Sequence, residues 1–128
     1  MSRLKECILT GTTSTAGAAT VNDTKAILGK LYAVEFVDGT LDDGGTSTLT
    51  AQNTASGVAN TLLTLANPLS NADATYYPRA IVHDQTGGAL TGTSGGDRGL
   101  PLINGVLRLT IASGGSEKTG GCIVYYYE

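Results

Sequence analysis

Short apolar stretches, cut by glycine, asparagine and proline at intervals of roughly ten residues, leave this chain few ways to fold. The stretches run over residues 3–10, 24–37, 46–52, 61–66, 76–82, 105–112 and 121–127. None carries the sustained 3.6-residue period of a long amphipathic helix. Between them stand turn formers: Asp38-Gly39, Asn67-Pro68 and the run Gly114 to Gly120. Seven or eight short strands of this kind close most naturally as two antiparallel sheets packed face to face. The expectation is an all-β, antiparallel β-sandwich of Greek-key or jelly-roll type, with an open barrel as the second choice. At 128 residues it is read as one domain over residues 1–128.

Residues 11 to 24 begin with a decapeptide, Gly11 to Thr20, that has no large apolar side chain. Such a segment adds nothing to a core, and a flexible loop or an arm reaching a neighbour is expected there. From Thr24 to Val37 both side-chain parities are apolar, which suggests a strand covered on both faces. Gly29 inside it marks a bulge or a close approach of backbone. Pro78 cannot donate to a ladder, so the Tyr76 segment belongs at an edge or a strand end. The last two strands are expected to form a hairpin around Gly114 to Gly120.

A net charge of -3 and a pI near 5.0 argue against nucleic acid, whose phosphates demand a basic face. No segment approaches the ~20 apolar residues of a membrane span, so no membrane partner is expected. Charged residues are 15% of the chain, against roughly a quarter in ordinary soluble domains. Small neutral surfaces of that kind suit chains packed against copies of themselves or a partner. Cys7 and Cys122 fall in the first and last strands, where a bridge is geometrically conceivable. With no signal peptide ahead of them, two buried free thiols in a reducing cytosol are the main expectation.

The patterns that resemble catalytic motifs fail on context. Gly92-Thr93-Ser94-Gly95-Gly96 fits G-x-S-x-G, but a strand–turn–helix is missing and the single histidine, His83, precedes the serine. Gly114 to Thr119 has the ring of a phosphate loop, yet Glu117 stands where its second glycine must be and a strand follows. His83-Asp84 lacks a second ligand at metal spacing, and Asp38, Asp42 and Asp43 read as a solvated turn before they read as a calcium site. No enzyme activity, cofactor or metal is expected.

Tyrosine is the residue type that stands out. Tyr76, Tyr77, Tyr125, Tyr126 and Tyr127 put five of the six into two runs, and neighbours along a strand face opposite sides. Some must therefore point away from the core, where large rings with a water-tolerant hydroxyl favour protein contact. A sugar platform would use the same chemistry.

Taken together, Tyr76-Tyr77-Pro78-Arg79, the loop Gly92 to Pro101 and the Gly-rich turn before Ile123-Val124-Tyr125-Tyr126-Tyr127 resemble the small Gly/Thr-rich cement, or head decoration, proteins of tailed phages. The resemblance spans residues 30 to 128 in style and order of features. It implies a non-enzymatic β-sandwich on the outer capsid surface of a virion assembled in the bacterial cytoplasm, a homodimer or homotrimer clamping the major capsid protein. Contact residues would be Tyr76, Tyr77, Arg79, Asp97, Arg98, Tyr125, Tyr126 and Tyr127. The alternative is a carbohydrate- or receptor-binding module of a phage tail or fibre.

Overall fold

The computed structural model describes residues 3–42, 44–66, 73–81 and 98–128, with the side chains of residues 65, 66, 81 and 98 set aside. The described residues form nine strands and no helix: β1 (Leu4–Thr12), β2 (Ala19–Val37), β3 (Thr46–Gln52), β4 (Ala59–Ala66), β5 (Ala74–Tyr76), β6 (Ala80–Ile81), β7 (Arg98–Gly99), β8 (Leu102–Ala112) and β9 (Thr119–Tyr127). Every pairing is antiparallel. Seven strands lie in one hydrogen-bonded sheet, in the order β1-β9-β2-β8-β3-β4 with β5 also on β2, and β6 pairs with β7 separately. The all-β antiparallel class is the expected one.

Strand β2 gives this sheet its shape. Ile111 lies opposite Ala19 at one end of β2, and Gly121 lies opposite Val37 at the other. A straight strand from Ala19 to Val37 would hold those partners about 60 Å apart. The chain from Ile111 to Gly121 can reach only about 35 Å. Strand β2 must therefore bend back on itself, and it does so around Lys30, which lies opposite both Leu102 of β8 and Tyr127 of β9. One wing of the sheet is β1, β9 and the second half of β2; the other is the first half of β2 with β8, β3 and β4.

The wings face each other across one core. Val34, Phe36 and Cys122 from the first wing line a small internal gap with Ser47, Leu49, Leu63 and Leu109 from the second. Alternation drives this: in β8 the buried side chains are Ile103, Leu107, Leu109 and Ile111, and in β9 Cys122, Val124 and Tyr126. At roughly 25 cal/mol per Å² of apolar surface removed from water, such side chains are what hold the wings together.

Three expectations are corrected. The loop or arm expected over residues 11 to 24 is confined to residues 13–18, because β1 runs to Thr12 and β2 starts at Ala19. The last two strands do not form a hairpin, since β2 lies between β8 and β9. The double apolar parity of Thr24 to Val37 has a different cause from a strand covered on both faces. The register between β2 and β9 slips between Leu31 and Ala33, leaving Tyr32 as an extra residue. Ile27 and Leu31 point inward before the slip, and Val34 and Phe36 after it. Gly29 is a close approach: a Cβ there would collide with the carbonyl oxygen of Tyr127.

Where the two ends of β2 come together, the loops lock. Thr13, 3% exposed, donates its hydroxyl to the Gly115 carbonyl at 2.5 Å and accepts the Lys118 amide at 2.8 Å. The Gly114 amide donates to the Gly17 carbonyl and the Asp42 amide to the Gly114 carbonyl, each at 2.9 Å. The Thr40 amide donates to the Thr119 carbonyl, and the Thr40 hydroxyl accepts the Thr119 amide. These bonds satisfy backbone groups that strand ladders leave unpaired.

Candidate functional site

The outer surface of the first wing, continued past the bend at Lys30 onto Leu28 and the start of β8, carries what the core does not use. Across its strands, the register sets Leu4, Tyr127, Lys30 and Leu102 in one row, Glu6 beside Tyr125 in the next, and Ile8, Ile123 and Glu35 in a third. Leu4, Ile8, Leu28, Tyr32, Tyr77 and Leu102 are each between 37 and 67% exposed. Among the described residues, Val58 alone is a large exposed apolar side chain away from this surface. Scattered apolar residues need no explanation, but a contiguous patch of this kind marks a contact surface.

The bulge supplies its centre. Because Tyr32 is the extra residue in the β2–β9 register, its ring leaves the regular alternation and stands between neighbours. Its centroid lies 6.0 Å from Tyr77 at 82° and 5.6 Å from Tyr127 at 74°, both edge-to-face. Each such pair contributes about 0.5 to 1.5 kcal/mol beyond area burial. The Arg79 guanidinium sits 5.8 Å from the Tyr32 ring centre and 5.9 Å from that of Tyr77, within cation–π range. Its Nη1 also donates to the carbonyls of Tyr32, at 2.9 Å, and Pro78, at 2.7 Å. Arg79 thereby fixes the segment after β5 against the bulge.

Tyr125, one row along, donates its hydroxyl to Glu35 Oε2 at 3.1 Å. That bond to a carboxylate, helped by desolvation and the charges of Glu35 and Glu6, pushes the phenol above its ordinary range. The result is a rigid surface of rings edged by two acids, Glu6 and Glu35, and two bases, Lys30 and Arg79. It can make flat, partly apolar contact with a macromolecule.

The sequence-derived candidates divide. Tyr77, Arg79, Tyr125 and Tyr127 come together on this face. Tyr126 does not: at 8% exposure it belongs to the core, and burial raises its phenol. Tyr76 is half-buried and packs against the core beside Val34. Asp97 lies outside the described residues, as do Asp43, His83, Asp84 and Ser94; Arg98 is placed only by its backbone, opposite Ile81. Sequence reasoning missed Tyr32, Leu28 and Leu102. Tyr32 stands alone in the sequence, and only the Gly29 signal nearby hinted at irregular backbone.

The two cysteines are free and buried. Cys7 lies opposite Val124 and Cys122 opposite Leu9, so they sit diagonally across neighbouring strands and not face to face. Diagonal positions lie about 7 to 8 Å apart, beyond the usual span of a disulfide. Burial, reinforced by a hydrogen bond with Asp23 and its charge, pushes the Cys7 thiol up to about 12; burial and the neighbouring Cys7 do the same for Cys122. Thiols so reluctant to ionise are poor nucleophiles and poor metal ligands. Among the described residues no cluster of His, Cys, Asp and Glu is arranged to hold a metal ion, and no helix is long and apolar enough to cross a membrane.

The chain matches no family model, no curated protein and no solved structure.

Proposed function

We propose that this chain is a structural virion protein that binds the outer surface of a tailed-phage capsid and stabilises the shell by contact, without catalysis. The observation that carries the reading is the outer face of the first wing. A solitary chain leaves Leu4, Ile8, Leu28, Tyr77 and Leu102 in water, whereas a chain with a protein partner buries them. The scarcity of charge suits a protein partner, and the resemblance of the Tyr76 to Tyr127 region to head decoration proteins favours the major capsid protein as that partner. The mechanism is mass action: a ligand that binds only the assembled shell makes its disassembly more costly.

The test is the copy number of this chain in purified particles, measured by mass spectrometry against the major shell protein. A ratio near one, or a simple fraction such as one third, supports the proposal. A few copies per particle would replace it with the tail or fibre module, whose tyrosines bind glycan; none would remove it.

A further inference from the structure

We infer that residues 73–79 form a strap that opens and closes over the edge of β2 as one unit, and that Asp73, at the end of the strap away from the rings, positions Tyr77 and Arg79 for contact. The inference deepens the proposed function and rests on its reading of the ring face as a contact surface.

Strand β5 is a thin attachment. It pairs with β2 only at Val34 with Tyr76, Glu35 with Thr75 and Phe36 with Ala74, whereas β9 follows the same half of β2 from Lys30 to Val37. Two side chains extend this short ladder. At one end the backbone amide of Asp38 donates to Asp73 Oδ1 at 3.1 Å. At the other, Arg79 Nη1 donates to the Tyr32 carbonyl at 2.9 Å. That second bond stands in for one the backbone cannot make: carrying the β5 register two residues on sets Pro78 against Tyr32, and proline has no N–H to give. Asp73 and Arg79 thus clip to β2 at residues 38 and 32, on either side of the three paired positions. Between the clips, Tyr76 packs against the core, while Tyr77 stands outside, edge-to-face with Tyr32 and beside Arg79.

A segment held by so short a ladder and two side chains opens more readily than strands paired along their whole length, and it opens in one piece because each fastening supports the next. Opening takes Tyr77 and Arg79 off the face together and leaves the Tyr32 ring against Tyr127. The closed strap is therefore the state that a partner binds. Asp73 acts on that state from a distance, since four residues of extended chain, about 13 Å, separate it from Tyr77. It is a positioning residue and not a contact.

The experiment is amide hydrogen exchange on the free chain and on particles, comparing wild type with Asp73→Ala, Asp73→Asn and Arg79→Ala. Loss of one hydrogen bond of ordinary strength raises an opening population about fivefold. D73A is expected to speed exchange of residues 74–79 by about that factor, with β9 at wild-type rates. D73N, whose side-chain carbonyl accepts the same amide, restores the wild-type rate. R79A, loosening the far end, speeds residues 74–76 as well. In particles the wild-type strap exchanges at least about tenfold more slowly than in the free chain, because a partner that binds the closed state holds it shut. Wild-type exchange of residues 74–76 in both D73A and R79A, an increase shared equally by β9, or a strap that exchanges as fast on particles as off them overturns the inference. Absence of the chain from particles sinks the decoration reading and leaves the free-chain measurements to decide the strap, so the two failures are told apart.

Discussion

The two places where β2 departs from a straight strand make an instructive pair. At its ends the loops over residues 13–18, 38–42 and 113–118 meet, and polar groups there bond across one another until little is left over for a partner. Around its bend and bulge, Leu28, Tyr32 and Leu102 stay in water although they are the kind of side chain a core collects. The first region uses its side chains to close the fold, and the second withholds them. A region that contributes to stability only when something covers it is what a contact surface looks like in a free chain.

Breaking the closed region should give the largest effect. Thr13→Val keeps the shape but removes both hydroxyl bonds, leaving the Gly115 carbonyl and the Lys118 amide without that partner. At about 1 to 3 kcal/mol for each group left unsatisfied, a loss of about 2 to 6 kcal/mol is expected in urea unfolding. Retention on particles through the tyrosine face should be unchanged under conditions where the variant is folded.

Alkali gives the next effect. Folded Cys7 and Cys122 hold their protons to about pH 12, whereas the unfolded chain begins to release them near 9. Between those values the unfolded state binds fewer protons, so stability is constant below about pH 9 and falls as pH rises toward 12. The slope should approach about 1.4 kcal/mol per pH unit for each thiol, and urea midpoints of Cys122→Ala should lose one thiol's share of it. The raised phenols of Tyr125 on the open face and Tyr126 in the core add to the loss at higher pH, so the thiols are isolated by the Cys122→Ala comparison.

The smallest stability effect belongs to the open region. Tyr77→Ser removes one edge-to-face contact with Tyr32 and one face of the Arg79 cage. Stability of the isolated chain should fall by at most about 1 kcal/mol, while retention on particles drops at least tenfold. A variant that unfolded readily yet still assembled would reverse the division of labour between the two regions.

This contrast was partly legible in the residues. Alternation in Leu107, Leu109 and Ile111 and in Cys122, Val124 and Tyr126 announces strands with one buried side, and consecutive tyrosines must then split between core and surface. Which of them faced out depended on register, and register depends on a partner strand that one segment cannot reveal. The bulge at Tyr32 is the clearest case: one extra residue inverted the inward parity of β2, so that apolar residues of both parities looked like a strand buried on both faces. The hairpin expected between β8 and β9 failed for a similar reason. A short Gly-rich connection reads as a tight turn, and only the fold-back of β2 lets so short a link join strands that do not pair.

Tyrosine labelling tests the central claim most directly. Purified chain and intact particles are nitrated side by side, and each tyrosine is read by peptide mass spectrometry. Tyr32, Tyr77 and Tyr127 are expected to react in dilute free chain and to be protected at least fivefold in particles, with Tyr126 slow in both. Equal reactivity of Tyr32 and Tyr77 in the two samples, with the chain present in stoichiometric amount, would contradict the assignment of this face to protein contact.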